Sequence, residues 1–399
     1  MIYKIQAPAS IHTSIHLPAS KSISNRALIL NALAKSSYPI ENLSDSDDTR
    51  VLLSALQSSG QDFDIGAAGT SMRFLTAFLS QLEGDWTITG SERMKNRPIG
   101  ILVDALRSVG AEIEYQEKEG FPPLRIRGKK LKGGEITLNG GVSSQYISAL
   151  MMIAPGLEQG LKIRLEGNII SKPYIQMTKG LMEIFGVKVV WEGQNIEIAP
   201  QRYIPVPFRV ESDWSAASYW YEIQALAKDA SVELLGLEEN SLQGDAKVKE
   251  LFERFRDVVR HVSTIGIAFF YDFSNEPDLA QTLVVTCCLL NIPFRFTGLQ
   301  SLRIKETDRM AALQTELRKL GYLIQAKGNS ILEWTGEKCK PAPRPVIATY
   351  EDHRMAMAFA PVCLKTKEIR IANPEVVSKS YPRFWLDLEK AGFIITEEP

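Results

Sequence analysis

The sequence predicts an α/β protein built from six similar units, three in each of two domains. Helix starts recur six times, near residues 22, 69, 143, 213, 277 and 352, at intervals of roughly 50 to 75 residues. Each start joins a small or acidic polar residue, which can cap a helix, to an apolar run. A second, amphipathic helix follows each one, and strand-like segments separate the helices. The 399 residues are too many for one ordinary core, so three units per domain suit the length.

Six amphipathic helices are predicted, and one of them is irregular. Five of them end at a glycine, which accepts the left-handed conformation of a helix C-terminus. The fourth has no such glycine and is the least regular. Their expected ranges are 51–60, 99–110, 175–186, 246–259, 310–321 and 384–392.

Composition and charge exclude several classes of protein. The 46 basic and 47 acidic side chains give a net charge of −1, whereas a general nucleic-acid binder usually has a basic excess. Residues 1–18 show no continuous apolar core of a signal peptide, and the apolar run 279–294 is too interrupted to span a bilayer. The four cysteines and four histidines have no metal-ligand spacing. We therefore expect a cytoplasmic protein with reduced thiols and no metal.

Cations concentrate at the predicted helix starts, and this placement points to function. Lys21 and Arg26 lie in or before the first turn of the first helix, where the helix dipole is already positive. Cations are disfavoured there unless an anion is bound, and free N–H groups with hydroxyls make a phosphate or carboxylate site. The cations placed in this way are Lys21, Arg26, Arg73, Arg97, Lys305, Arg309, Arg354 and Lys379. Asp278, Glu306 and Asp352 lie among them and are candidate general acids and bases.

Each motif also has a structural interpretation. Arg97 can be a solvated surface arginine, and residues 305–309 can be a helix start capped by Thr307 with a surface Glu306–Arg309 ion pair. His353 can be an exposed residue of a capped helix. The glycine-rich turn at 66–69 lacks the Gly-Lys-Ser/Thr of a nucleotide-binding loop.

Taken together, the motifs resemble those of the enolpyruvyl transferases, and within them the EPSP synthase family. The resemblance covers nearly the whole chain. It is carried by residues 17–26 (Leu-Pro-Ala-Ser-Lys-Ser-Ile-Ser-Asn-Arg), 92–100 (Glu-Arg-Met-Lys-Asn-Arg-Pro-Ile-Gly), 143–145, 171–174, 305–309 (Lys-Glu-Thr-Asp-Arg), 352–355 and Lys379. It implies an inside-out α/β barrel fold: two similar domains, each of three βαβαββ-type units packed around buried helices. The first domain would be residues 19–211 and the second residues 1–18 with 212–399, with the active cleft between them.

The resemblance also implies an activity and a set of site residues. The reaction would transfer the enolpyruvyl group of phosphoenolpyruvate to the 5-hydroxyl of shikimate 3-phosphate, with no cofactor, no metal and a monomeric protein. Asp278 would accept the hydroxyl proton, Glu306 would exchange a proton with the methylene carbon, and Lys21 would contact both substrates. Shikimate 3-phosphate would be held by Lys21, Ser22, Arg26, Ser143, Ser144, Gln145, Ser171, Tyr174, Asp278 and Lys305. Phosphoenolpyruvate would be held by Lys21, Gly69, Arg97, Gln145, Arg309, Arg354 and Lys379.

Four departures from the family pattern bear on affinity more than on reaction type. Ala67 and Phe74 stand where the family usually has Asn and Pro. Ser301 replaces an Asn that helps to hold shikimate 3-phosphate, and Ser212 replaces a Gly at the second domain crossing. The segment 230–273 is also shorter than usual, in line with the irregular fourth helix.

Two alternatives remain open at this stage. A sibling family transfers the enolpyruvyl group to a UDP-sugar, but it carries a Lys-Asn pair where this chain has Lys21-Ser22, and a reactive cysteine that residues 91–100 lack. A non-catalytic relative that binds shikimate 3-phosphate or a related anion is the second alternative. Ala67, Phe74 and the short fourth unit favour such a binder slightly, whereas the presence of Asp278 and Glu306 argues against it.

Overall fold

The structure is a computed structural model that describes residues 1–265 and 268–398, with side chains of 259–265 left undescribed. The chain divides into two compact units. The continuous unit comprises residues 19–211, and the two-segment unit comprises residues 1–18 and 212–399. The predicted α/β class is confirmed in both units.

The helices begin close to the residues that the capping pattern predicts. Their bounds are α1 Lys21–Leu33, α2 Asp47–Gln57, α3 Gly69–Ser80, α4 Glu92–Lys95, α5 Gly100–Ser108, α6 Ser144–Ile153, α7 Lys172–Ile184, α8 Trp214–Leu226, α9 Val248–Ile265, α10 Ala280–Leu289, α11 Arg309–Lys319, α12 His353–Phe359, α13 Cys363–Thr366 and α14 Phe384–Lys390.

The strands are short and alternate with these helices. Their bounds are β1 Ile2–Gln6, β2 Ile11–His16, β3 Ile40–Glu41, β4 Asp62–Asp64, β5 Gly84–Thr89, β6 Glu112–Tyr115, β7 Leu124–Gly128, β8 Gly134–Asn139, β9 Leu161–Glu166, β10 Val190–Glu192, β11 Asn195–Ile198, β12 Phe208–Arg209, β13 Ala230–Leu235, β14 Phe269–Asp272, β15 Phe294–Thr297, β16 Gln325–Lys327, β17 Ile331–Trp334, β18 Val346–Ile347, β19 Glu368–Ala372 and β20 Ile394–Glu398.

Three buried helices form the centre of the continuous unit. Helices α1, α3 and α6 contact one another, and each also packs against an amphipathic helix: α2, α5 and α7 in turn. Nearly every residue of α3 is buried on all sides of the helix, and its buried polar groups, such as Thr76 and Ser80, donate to carbonyls of the preceding turn. The sheets of this unit have the strand orders β4-β5-β7-β6, β10-β11-β9-β8 and β12-β3.

The two-segment unit repeats this plan. Helix α10 contacts both α8 and α12, and the short 3₁₀ segment Ala360–Val362 that continues α12 contacts α8. The sheets have the orders β14-β15-β17-β16, β18-β19-β1-β20 and β13-β2. The N-terminal strand β1 lies between β19 and β20 and pairs with both in antiparallel fashion.

The six units are less uniform than the sequence pattern predicts. Four of the sheets have four strands, but the sheets that accompany α1 and α8 have two strands each within the described residues. In the four larger sheets a parallel pair is extended by two antiparallel strands, and the two small sheets consist of the parallel pair alone.

The glycine prediction is confirmed at four helix ends and wrong at the first. Gly110, Gly186, Gly321 and Gly392 have positive φ directly after their helices. Helix α2 instead ends at Gln57, and its C-terminal cap Ser58 is extended. Because Ser58 already leads the chain away from the helix, Gly60 has no left-handed position to occupy.

One ionisable side chain lies in the core of the two-segment unit. Glu222, on α8, has no solvent exposure, and neither of its carboxyl oxygens has a hydrogen-bond partner in the described residues. The hydroxyl of nearby Thr286 donates to the carbonyl of Thr282 at 2.7 Å. Burial raises the pKa of Glu222 well above its usual range, because a charged carboxylate cannot be solvated there.

Candidate active site

The start of α1 presents Lys21 at the surface of the continuous unit. Ser20 caps the helix, with its Oγ accepting from the N–H of Ile23 at 3.4 Å. Lys21 is the first helical residue, and its Nζ lies 3.6 Å from Oδ2 of Asp48. Lys21 sits at the positive end of the helix dipole, and the Asp48 carboxylate offsets part of the positive charge there.

Arg26 lies one turn further along α1 and is almost completely buried. Its guanidinium donates to Thr178 Oγ1 at 2.7 Å, to Ser148 Oγ at 3.2 Å and to the carbonyl of Ser22 at 2.9 Å. A weaker bond goes to the carbonyl of Tyr174 at 3.4 Å. All four acceptors are uncharged, and burial lowers the pKa of Arg26 to about 10.

Phe74, one of the expected departures from the family pattern, gives Arg26 an aromatic neighbour. Its ring centroid lies 5.4 Å from the Arg26 guanidinium carbon, within the range of a cation–π contact. The departure at position 74 therefore adds packing around a buried cation, and Phe74 itself is buried.

Gly69 brings two arginines to the start of α3. A Cβ at this position would lie 2.5 Å from Arg97 Nη1 and 2.7 Å from Arg73 Nη1. Arg73 Nη1 also donates to the Gly69 carbonyl at 2.7 Å. Two guanidinium nitrogens thus approach the same backbone position, which only a residue without a side chain allows. Together they make the N-terminus of α3 strongly positive.

Arg97 has unused hydrogen-bonding capacity. Its Nε is buried and has no hydrogen-bond partner, and it makes no ion pair in the described part of the chain. A buried donor without an acceptor is costly unless a ligand supplies one. Arg97 as a whole is half-buried, and its role as an anion-binding residue stays a prediction.

Helix α6 places Gln145 beside the same point. Ser143 caps the helix, with its Oγ accepting from the N–H of Gln145 at 3.4 Å, and Ser144 is the first helical residue. The Gln145 amide nitrogen donates to Thr70 Oγ1 at 3.1 Å, next to Gly69. Tyr146 donates to the carbonyl of Pro98 at 2.5 Å, which ties α6 to the loop that carries Arg97.

Ser171 is the strained residue of this group. It precedes α7 with φ 53° and ψ 35°, a left-handed conformation that is uncommon for serine, and it is buried. Tyr174 follows in the first turn of α7, and its carbonyl accepts both from Arg26 and from Thr178. Thr178 and Ser148 are contacts of Arg26 that the sequence motifs do not include.

In the two-segment unit, Arg309 is the centre of an ion-pair network. Its side chain is 2% exposed. Nε donates to Asp352 at 2.6 Å, Nη1 to Asp278 at 2.9 Å and Nη2 to Glu306 at 2.9 Å. Burial opposes its charge, but the carboxylates of Asp352, Glu306 and Asp278 raise its pKa. The expected surface ion pair of Glu306 and Arg309 is therefore part of a buried network.

The predicted cap of α11 is also wrong. Asp308, rather than Thr307, caps the helix, with its Oδ1 accepting from the N–H of Ala311 at 3.1 Å. Asp308 takes the capping role because it is the residue directly before the first helical position, Arg309.

Asp278 is held by three cations. Arg354 Nη2 lies 3.0 Å from its Oδ2. Lys305 Nζ lies 3.6 Å from its Oδ1, the oxygen that Arg309 also contacts. Burial alone would raise the pKa of Asp278, but Arg354, Lys305 and Arg309 together lower it well below its usual range. Asp278 is therefore ionised and a weak base while these cations remain uncompensated.

Asp352 and Arg354 sit at the start of α12. Asp352 caps the helix by accepting from the N–H of Arg354 at 2.9 Å and is completely buried. Arg354 also donates to the hydroxyl of Tyr219 at 3.3 Å. His353 is buried, so its interpretation as an exposed residue is wrong.

Lys379 and Asp245 are two further charged residues of the two-segment unit near this network. Lys379 Nζ donates to the carbonyl of Glu351 at 3.1 Å, directly before Asp352 in the chain. Asp245 is buried and accepts a short hydrogen bond from Ser215. Burial, with a further contribution from the charge of Asp278, raises the pKa of Asp245 to about 7. The sequence offered no motif for Asp245 beyond a Gly-Asp pair before an amphipathic helix.

Two features are absent from the described residues. They contain no group of three or more His, Cys, Asp or Glu side chains placed to hold a metal ion. Among the helices that the structure describes, none is long and apolar enough to cross a membrane.

The fold and these two groups of side chains define an α/β protein suited to binding small phosphorylated anions and moving protons beside them. A family model described as EPSP synthase (3-phosphoshikimate 1-carboxyvinyltransferase) matches residues 5–63 and 57–388. The chain belongs to this family.

Individual relatives agree with this assignment. The chain is 57% identical to a 3-phosphoshikimate 1-carboxyvinyltransferase of Bacteroides fragilis, with 98% of each chain covered. It is 38% identical to one of Vibrio cholerae, covering 94% of this chain and 96% of the relative. An EPSP synthase structure from Acinetobacter baumannii superposes with a TM-score of 0.77 at 21% identity, covering 99% of this chain and 100% of that one. At that identity the structural match confirms the fold alone.

Proposed function

We propose that the protein transfers the enolpyruvyl group of phosphoenolpyruvate to the 5-hydroxyl of shikimate 3-phosphate and releases phosphate. This is the step of the shikimate pathway, towards chorismate and the aromatic amino acids, that a 3-phosphoshikimate 1-carboxyvinyltransferase catalyses. The observation that carries the proposal is the network in which Arg309 contacts Asp278, Glu306 and Asp352. Such a network places two candidate proton-transfer groups beside a fixed cation, and the relative at 57% identity supports the same reaction.

The ring, hydroxyls and phosphate of shikimate 3-phosphate need many donors. We assign them to helix starts and polar side chains of the continuous unit, together with two charged residues of the other unit. The assigned residues are Lys21, Ser22, Arg26, Ser143, Ser144, Gln145, Ser171, Tyr174, Asp278 and Lys305.

The carboxylate and phosphate of phosphoenolpyruvate need several cations. The unpartnered Nε of Arg97 and the open backbone at Gly69 support a site for one of these groups. The assigned residues are Lys21, Gly69, Arg97, Gln145, Arg309, Arg354 and Lys379.

The proton transfers follow from the ion pairs. Asp278 accepts the proton of the 5-hydroxyl as its oxygen bonds to C2 of phosphoenolpyruvate, and Glu306 donates a proton to C3. The tetrahedral adduct then loses phosphate, which carries away the proton taken up by Asp278. Glu306 takes a proton back from the methyl group, while Lys21 stabilises the charge that develops. Because Arg354, Lys305 and Arg309 keep Asp278 a weak base, it becomes effective only when the substrate anions take up that positive charge.

The test is phosphate release by purified protein. Phosphate should appear only when both substrates are present, and the rate should not change when a chelator is added. Asp278→Asn should remove most of the turnover. Asp272→Asn, which changes an exposed aspartate of the same unit that accepts from Ser274 at 2.9 Å, should not. Binding of shikimate 3-phosphate without turnover would instead favour a non-catalytic binder.

We also propose that the two units are functional domains of a monomeric, cytoplasmic protein. The four cysteines are free, which suits a reducing compartment. Light scattering on the purified protein tests the monomer, and fractionation of the source cells tests the compartment.

A further inference from the structure

The turn of residues 349–352 in the two-segment unit has an unusual backbone. The N–H of Asp352 donates to the carbonyl of Thr349 at 2.9 Å, which closes a four-residue turn. Its two central residues, Tyr350 and Glu351, have φ of 54° and 56°. Two successive positive φ values are typical of a type I′ turn, which favours Asn and Gly. Tyrosine and glutamate are poorly suited to it, so other contacts must hold the turn.

Glu316, on α11, supplies those contacts. It has no solvent exposure and accepts from the Tyr350 hydroxyl at 2.6 Å and from the N–H of Ala348 at 3.1 Å. Lys319 neutralises it at 2.7 Å and also donates to the carbonyl of Val346 at 2.9 Å. Burial and the bond to Glu316 raise the pKa of Tyr350 to about 12, so the phenol stays a donor at neutral pH.

Helix α11 contacts the turn at two points. Arg309 and Glu316 are seven residues apart, about two helical turns, and so lie on one face of α11. Arg309 binds Asp352 at the end of the turn, and Glu316 binds Tyr350 in its middle.

This turn also fixes the positions of two cations of the proposed phosphoenolpyruvate site. The carbonyl of Glu351 accepts from Lys379 Nζ at 3.1 Å. Asp352 accepts from the N–H of Arg354 and so fixes the start of α12. If the turn relaxed to negative φ, the Glu351 carbonyl would swing away from Lys379.

We propose that Glu316 and Tyr350 are positioning residues that hold this strained turn, so that Lys379 and Arg354 are set to bind phosphoenolpyruvate. The inference rests on the proposed function for the identity of the ligand. The strained turn and its hydrogen bonds stand without it.

The first substitution removes the hydrogen bond between Tyr350 and Glu316. A second substitution then removes the backbone strain at position 351. Tyr350→Phe should raise the KM for phosphoenolpyruvate about tenfold, as loss of a charge-assisted hydrogen bond in a site does. Its kcat and its KM for shikimate 3-phosphate should stay within a few-fold. Glycine accepts positive φ freely. Adding Glu351→Gly should therefore return the KM for phosphoenolpyruvate most of the way to the wild-type value.

Two controls separate this effect from general stability. Tyr203→Phe removes a tyrosine hydrogen bond of 2.8 Å to the Met152 carbonyl in the other unit. Lys367→Gly relieves a positive φ of 72° elsewhere in the same unit. Tyr203→Phe should leave the KM for phosphoenolpyruvate unchanged, and Lys367→Gly should not rescue Tyr350→Phe.

Amide hydrogen exchange over residues 346–356 provides a readout that needs no activity. Exchange should be faster in Tyr350→Phe and return towards the wild-type rate in the double variant. Unchanged exchange in Tyr350→Phe, or rescue by Lys367→Gly as good as by Glu351→Gly, would overturn the proposal. If exchange behaves as expected while the wild-type protein releases no phosphate, the proposed function fails and the positioning role of the turn stands.

Discussion

Gly69→Ala tests whether Arg97 binds phosphoenolpyruvate from beside the start of α3. The added methyl group would lie 2.5 Å from Arg97 Nη1, whereas ordinary contact begins at 3.4 Å. The guanidinium must therefore retreat by roughly 1 Å, and a hydrogen bond weakens steeply over such a distance. The atoms that move are the ends of flexible side chains, so the backbone can stay in place.

The expected magnitude follows from the hydrogen bond that is lost. A bond to a charged group contributes about 1.5–3 kcal/mol, and each 1.4 kcal/mol or so is tenfold in affinity. The KM for phosphoenolpyruvate should therefore rise about 10- to 100-fold. Folding should not suffer, because alanine is favoured over glycine in a helix by about 0.5–1 kcal/mol.

A phosphate-release assay with a double-mutant cycle isolates the cause. Gly69→Ala should have a smaller effect on this KM in an Arg97→Ala background, because only Arg73, 2.7 Å from the added methyl group, is then displaced. Gly100→Ala, whose added methyl would meet its nearest neighbour at 3.4 Å, is the matched control and should behave like wild type. An equal rise in KM with and without Arg97 would refute the reasoning, as would a fall in Tm that accounts for the loss.

Three other changes test separate parts of the molecule. Glu306→Gln should reduce kcat on the order of 100-fold or more while titration calorimetry shows shikimate 3-phosphate affinity within a few-fold, as for a lost acid–base group; normal turnover would leave Glu306 a structural partner of Arg309. Ala67→Asn should lower the KM for phosphoenolpyruvate, because a half-buried turn residue regains an amide donor worth about 1 kcal/mol; a higher KM would mean that the turn at 66–69 is built differently around Phe74. Glu222→Gln should raise Tm increasingly as the pH rises above 4.5, the ordinary pKa of the group. The buried acid is protonated in the folded state, so its stability contribution is complete below that pH and is lost at higher pH; a Tm difference that is constant with pH would contradict this.

Local sequence signals predicted the helix starts well and the details of capping less well. Capping residues and apolar periodicity act within one turn, so α1, α3, α6, α8 and α12 begin within one residue of the expected positions. The misplaced cap at Thr307 and the misplaced end at Gly60 arose because neighbouring residues, Asp308 and Ser58, compete for the same role. Sequence spacing alone cannot decide such a competition.

The partners of the site residues lay beyond the reach of the sequence. Arg309 binds Asp352, 43 residues away, and Arg26 binds Thr178, 152 residues away. Both pairings depend on how buried helices pack, which no local pattern encodes. The family resemblance supplied the candidate reacting residues, but it did not indicate the contact of Glu316 with Tyr350 in the positive-φ turn before Asp352.

The place of β1 in its sheet has a consequence for how the protein is made. Ile2 pairs with Ala372 on one side and with Glu398 on the other. A ribosome therefore synthesises the first strand long before either neighbour exists, while the whole of the continuous unit, residues 19–211, emerges in one stretch. That unit can fold during synthesis, but the two-segment unit must wait until β19 and β20 have been synthesised. During this interval β1 has two unpaired edges, and such edges are where nascent chains associate wrongly. The polar residues Lys4 and Gln6 within β1 lower its tendency to do so.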